Sequence, residues 1–236
     1  GIALGPIEAS RSGNRYQYQY VTLDLTPDKR TAELTIRGPE GRQPATPAEF
    51  HAAGDSSWAL KAFRELDDAL LRLRFNEPEI GTVIVRTAGD PAAVLAVDET
   101  LATHKDHWLV RETLGYLRRT FSRLDLSSRS LYALIEPGSC FAGSFLELAL
   151  ACDRSYMLML PDDAARTPKI TVDDSNFGFF PSAASTTKRR RSMPCASAPA
   201  NRSMPTPPSS SASSPATRTT STGPTRRASP SRSASR

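Results

Sequence analysis

Polar and apolar residues alternate from Tyr16 in YQYQYVTLDL and again from Thr31 in TAELTIR, with the turn-forming TPDKR between them. This predicts an antiparallel hairpin with one buried face. GPEGRQPATPAEF, punctuated by Gly and Pro, reads as loop, and Asp55-Ser56-Ser57 then offers N-cap chemistry to a helix. In that helix Leu60, Phe63, Leu66, Leu70 and Leu73 recur every three or four residues, with Lys61, Arg64, Asp67, Asp68 and Arg74 on the other faces, up to a stop at Pro78. Thr82-Val83-Ile84-Val85 predicts a buried strand, Asp98 to Leu124 one long helix, and Leu131 to Ile135 a second buried strand. Pro137-Gly138 is a turn, Phe145 to Cys152 a short apolar helix, and Tyr156 to Leu160 and Ile170 to Val172 are further strands. The alternation of helix and strand predicts an α/β fold. Trp58 and Trp108 are expected in its core.

Charge divides the chain. Of 30 basic and 25 acidic residues, 10 basic and no acidic ones fall after Pro181, so the formal +5 splits into −5 for residues 1–181 and +10 for 182–236. Those last 55 residues include 15 Ser, 9 Ala, 8 Pro and 8 Thr, and their non-alanine hydrophobes are Met193, Cys195 and Met204, too few to form a core. The expected organisation is a linker over 1–15, an α/β domain over 16–181 and a disordered tail over 182–236. No run approaches the roughly 20 apolar residues of a membrane helix, and GIALGPIEAS lacks the pattern of a signal peptide, which predicts a cytoplasmic protein with no membrane partner. Cys140, Cys152 and Cys195 are too irregularly spaced for a disulfide framework or a structural zinc site, so no metal is expected. His104 and His107, three apart on a helix, could share a metal, but without a third ligand they read as solvated or capping residues.

Chemistry enters at Ile135 to Asp153, IEPGSCFAGSFLELALACD. A strand runs through a small-residue turn directly into a helix, so backbone N–H groups near Gly143 and Ser144 point out of a helix N-terminus, where they can hold an anionic or polarised oxygen. By itself such a turn is more often a matter of packing. Cys140 could be a thiol activated by the helix, or a small packed side chain, which the lack of a neighbouring His favours. Glu136 before Pro137 could be an active-site carboxylate or a turn acid.

The string Ala142-Gly143-Ser144 followed by Glu147-Leu148-Ala149-Leu150-Ala151-Cys152-Asp153, after the order hairpin, helix, strand, helix, resembles the crotonase (enoyl-CoA hydratase/isomerase) superfamily and its repeated ββα spiral. KDHWLVRETLGYLRRTFSRLD (Lys105 to Asp125), SRSLYALIEPGSCFAG (Ser128 to Gly143), DRSYMLMLPDD (Asp153 to Asp163) and NFGFFP (Asn176 to Pro181) are similar, more narrowly, to the C-terminal crotonase-like half of its members that open an epoxidised benzoyl-CoA ring. The resemblance implies a carbon–carbon lyase of aerobic benzoate breakdown. With water it would convert 2,3-epoxybenzoyl-CoA to an aldehyde CoA thioester and formate, with no cofactor beyond the CoA of its substrate. The Gly143 and Ser144 amides would hold the thioester oxygen, and Glu147, with Glu136 and Cys140 as further candidates, would supply the catalytic side chains. It also implies an upstream catalytic half as partner, and a homo-oligomer when complete. Two departures stand out. TAGDPAAVLAV (Thr87 to Val97) replaces the loop that carries the superfamily's first oxyanion amide, and Asp173-Asp174-Ser175-Asn176 replaces its second acid.

Two other functions remain open at this point. The chain could be a non-catalytic half that packs against the catalytic one, or its basic tail could bind nucleic acid. The tail has another reading. If it is encoded mainly by GC-rich codons, the stretch from Arg202 can be read in a shifted frame as an acidic, amphipathic sequence, which predicts a frameshift shortly after Pro181 and an incomplete crotonase-like fold, a fragment of the lyase.

Overall fold

The computed structural model describes residues 1–161, 163, 166–177 and 179–180. The expected tail over 182–236 lies outside the described residues. Seven strands form a single sheet in chain order: β1 (Ser10–Ser12), β2 (Arg15–Gln17), β3 (Val21–Thr26), β4 (Thr31–Arg37), β5 (Thr82–Ala88), β6 (Ser130–Ile135) and β7 (Arg154–Met157). Pairing is antiparallel from β1 to β4 and parallel from β4 to β7. Five helices connect or flank them: α1 (Pro47–Ala53), α2 (Trp58–Phe75), α3 (Pro91–Thr103), α4 (Trp108–Asp125) and α5 (Gly143–Ala151). The α/β fold and its ββα order are those the sequence predicts.

One face of the sheet is built for the helices. Val21, Leu23 and Leu25 on β3, Ala32, Leu34 and Ile36 on β4, Val83 and Val85 on β5, and Leu131, Ala133 and Ile135 on β6 are all buried, and the register aligns them across neighbouring strands. Parallel strands laid down in chain order through right-handed crossovers place every connecting helix on the same side. The opposite face carries Glu33, Ile84, Arg86, Tyr132 and Leu134, all incompletely buried. Trp58, Phe63, Phe121 and Phe145 join the helices in the core, with Phe63 and Phe121 in edge-to-face contact at 5.2 Å.

Local differences from the sequence expectations have local causes. The segment read as loop contains α1, because Thr46 accepts a hydrogen bond from the Glu49 amide and Pro47 starts the first turn. The long helix expected over 98–124 is two. Asp90 caps α3 through the Ala92 amide, α3 ends at Thr103, and α4 begins at Trp108 after the His107 amide bonds the His104 carbonyl. Trp108 opens α4 and is 39% exposed, not core. Of the late strands, β7 starts at Arg154, and Thr171 makes only an isolated bridge to Ala142. Residues 1–15 include β1, and the Gly5 amide and carbonyl are held by Asp55 and Arg64.

Candidate functional site around the start of α5

The parallel strands β4, β5 and β6 end side by side, and the loops that leave them cross closely. Gly38 N–H donates to Ala88 O at 2.8 Å and Gly89 N–H to Gly138 O at 3.1 Å, while a side chain on Gly89 would press on the Gly38 backbone. Carboxyl ends of parallel strands are where α/β folds bind ligands. Here the next residues are Cys140, Phe141 and Ala142, all fully buried, and then α5.

Helix α5 is surrounded: Gly143 through Ala149 are all buried, which explains why the segment is apolar on every side. Its N-cap residue, Ala142, has no side chain able to satisfy the first amides. That role falls to Asp98 from α3, whose Oδ2 accepts from the Ser144 N–H at 2.6 Å. Gly143 has φ +48, and a Cβ there would overlap Asp98 Oδ2, so the glycine is required both by its backbone and by the carboxylate beside it. Asp98 is 3% exposed, and burial, with the Asp173 and Glu147 charges adding to it, pushes its carboxyl up to about 7 even though the Ser144 contact pulls the other way.

Glu147, one turn further along α5, is 1% exposed. The Asn176 side-chain amide donates to Glu147 Oε1 at 2.7 Å and to Gly143 O at 2.8 Å. Asn176 is itself held by a short helical turn (Asp174–Asn176) in which Asp173 N–H donates to Asn176 Oδ1 and Asp173 Oδ1 accepts from Ser175 N–H. Three carboxylates, Asp98, Glu147 and Asp173, thus surround the start of α5.

Of the residues singled out from the sequence, Gly143, Ser144 and Glu147 come together. Glu136 lies elsewhere: it follows Ile135 on β6 and so points to the opposite face of the sheet, where it pairs with Arg86, which also reaches Glu33 at 3.2 Å. Cys140 is fully buried, its amide donates to Thr87 Oγ1 at 3.0 Å, and burial pushes its thiol up to about 11, so it carries no thiolate near neutrality. His104 Nε2 lies 3.1 Å from the Ala45 carbonyl, and no cluster of three or more potential metal ligands occurs among the described residues. None of their helices is long and apolar enough to cross a membrane.

Asp98 was not singled out by the sequence, and Asn176 entered only within the Asp173–Asn176 stretch that stands where the resemblance expects a second acid. An Asp among Val94, Val97 and Leu101 on the buried side of α3 is the one signal that could have found the first.

No family model matches the chain. Solved structures match weakly: an enoyl-CoA hydratase/isomerase from Xanthobacter autotrophicus Py2 is 22% identical with TM-score 0.39, covering 59% of this chain and 46% of that one. An enoyl-CoA hydratase/carnithine racemase from Magnetospirillum magneticum is 18% identical with TM-score 0.40, covering 69% and 71%. Among curated proteins, benzoyl-CoA-dihydrodiol lyase of Aromatoleum evansii is 48% identical over 182 residues, 77% of this chain and 32% of that protein. At that identity the chain is a relative of benzoyl-CoA-dihydrodiol lyase, spanning about a third of its length.

Proposed function

We propose that the chain is part of a CoA-thioester lyase that opens the ring of 2,3-epoxybenzoyl-CoA with water, giving an aldehyde CoA thioester and formate, and that it contributes a packing half to that enzyme. No resident cofactor belongs to this reading. The 48% identity to the Aromatoleum evansii lyase supports the enzyme class. The observation that carries the packing role is the Asp98 contact. The Ser144 amide, which the crotonase resemblance would assign to the thioester oxygen, already donates to a carboxylate of the same chain at 2.6 Å. Asp98, Ser144 and Glu147 are each at most 3% exposed, so a thioester reaches them only if α3 and α5 part.

A second reading keeps catalysis here, with Glu147 activating water and the Gly143 and Ser144 amides polarising the thioester. The strand-to-helix turn, with Glu147 one turn into α5, favours it. Titration of the 236-residue chain with benzoyl-CoA separates the two. The packing role predicts no saturable binding, and co-purification of the chain with the remaining two thirds of the Aromatoleum evansii lyase. Saturable binding that is lost in Glu147→Gln and in Ser144→Phe would overturn the packing role and establish the second reading.

A further inference from the structure

The face of the sheet turned away from the helices changes character across its width. On β2, β3 and β4 it carries Arg15, Thr22, Asp24, Glu33 and Thr35, a set suited to water, with Arg15 and Asp24 paired to each other. On β5, β6 and β7 the register instead sets Ile84 beside Tyr132 and Leu134 beside Tyr156, and Tyr156 leans edge-to-face on Tyr132. Leu158 follows, its amide still bonded to Ile135 O. None of these five side chains is fully buried, although strands in the parallel part of a sheet ordinarily hide such residues.

Charge brackets this apolar strip. At the amino ends of β6 and β7, Arg154 stands in register with Tyr132, is exposed, and forms no ion pair among the described residues. Just past the carboxyl end of β6, Glu136 shares the Arg86 guanidinium with Glu33, two carboxylates to one cation. The strip therefore has a spare positive charge at one end and a spare negative charge at the other. Four residues of strand separate them, about 13 Å.

We propose that this strip is the docking surface for a second copy of the chain, packed face to face across a two-fold axis that lies between the copies, perpendicular to the strands, near Leu134 and Tyr156. Such an axis turns the strands of the two copies antiparallel. The apolar rows then meet at the centre, and Arg154 of each copy falls beside Glu136 of the other, at both ends of the contact. A two-fold interface needs a surface complementary to itself, and opposite charges at the two ends of an apolar strip meet that requirement. A partner charged with one sign throughout would leave one end facing its like. The docking surface uses no residue at the start of α5, so it holds under either reading of the reaction and fails independently of both.

Sedimentation equilibrium on the full chain tests it through charge reversal. Wild type should dimerise, and Arg154→Glu or Glu136→Arg alone, by setting like charges together at both ends, should each raise the dimer dissociation constant about tenfold or more. Mixed in equal amounts, the two variants should associate with each other about as tightly as wild type, because both ends again pair opposite charges. Arg154→Lys treated with a zero-length carbodiimide should give a covalent dimer joined between positions 154 and 136, a readout that does not depend on how well Glu136→Arg folds. Association that neither reversal weakens, as pairing along the β7 edge would give, overturns the proposal. So does a covalent link within one chain in place of the dimer. A chain that stays monomeric alone, yet associates with the remaining two thirds of the Aromatoleum evansii lyase, overturns it in favour of that partner.

Discussion

At Gly143 a single atom decides whether the chain can turn into α5. A methyl group there would overlap Asp98 Oδ2 and would sit on a backbone with φ +48, so Gly143→Ala should cost about 1–3 kcal/mol from the backbone alone, and more from the displaced carboxylate. Equilibrium urea unfolding measures it, and an unchanged midpoint would show that neither the backbone at Gly143 nor Asp98 resists the added methyl group. Asn176 is the complementary residue, because its two amide hydrogens go to Gly143 O and Glu147 Oε1. Asn176→Asp removes both donors and sets a carboxylate against Glu147. It should cost about 2–4 kcal/mol at pH 8, and measurably less at pH 5, where the new acid can take a proton. For Asp98→Asn the stability difference from wild type should grow in the variant's favour as pH rises from about 4, because burial raises the Asp98 carboxyl to about 7, and should stay constant above that value. Neither the Asp98 contact nor the Asn176 contacts could be read from neighbours in sequence, although the resemblance placed Asp173–Asn176 where a second acid is expected. Their partners lie 46 and 29 or more residues away, and only the fold brings them together.

Elements were legible where a periodicity ran without interruption. The alternation in VTLDLT and TAELTIR corresponds to β3 and β4 with the buried parity that the sequence implies, and Leu60, Phe63, Leu66 and Leu73 are buried along α2. The division between α3 and α4 was not legible, since apolar residues continue at helical spacing on both sides and the break is made by backbone bonds at His104 and His107. Nor was the role of Arg129, which precedes β6 and donates to the carbonyls of Leu73, Glu77 and Ile80, fastening the end of α2 and the entry to β5 beneath one guanidinium. Leu73 lies in the last turn of α2, and Glu77 O also accepts from the Ile80 N–H at 3.2 Å. Arg129→Ala should therefore cost about 2–3 kcal/mol in urea unfolding, and Arg129→Lys should recover little of it, because an ammonium cannot reproduce the planar fork.

Among the described residues, the helices cover one face of the sheet and leave the other partly open. Parallel sheets are normally covered on both faces. Tyr156 on the edge strand β7 is 49% exposed and stacks edge-to-face on Tyr132 at 6.0 Å, with Leu158 and Met159 exposed just beyond. A strand edge that no further strand covers among the described residues, beside apolar side chains, favours association. Sedimentation velocity on the full chain should show mass rising with concentration, and Tyr156→Lys with Met159→Lys should reduce that rise without lowering the melting temperature. The strand order has a consequence for synthesis as well. Thr31 pairs with Thr82, Thr82 with Ser130, and Tyr132 with Arg154, so each parallel strand docks on a surface completed before it leaves the ribosome. The sheet can assemble from its amino-terminal hairpin outward as the chain emerges. A nascent chain stalled before Ser130 would then present β5 as its growing edge, the position that β7 occupies in the described protein.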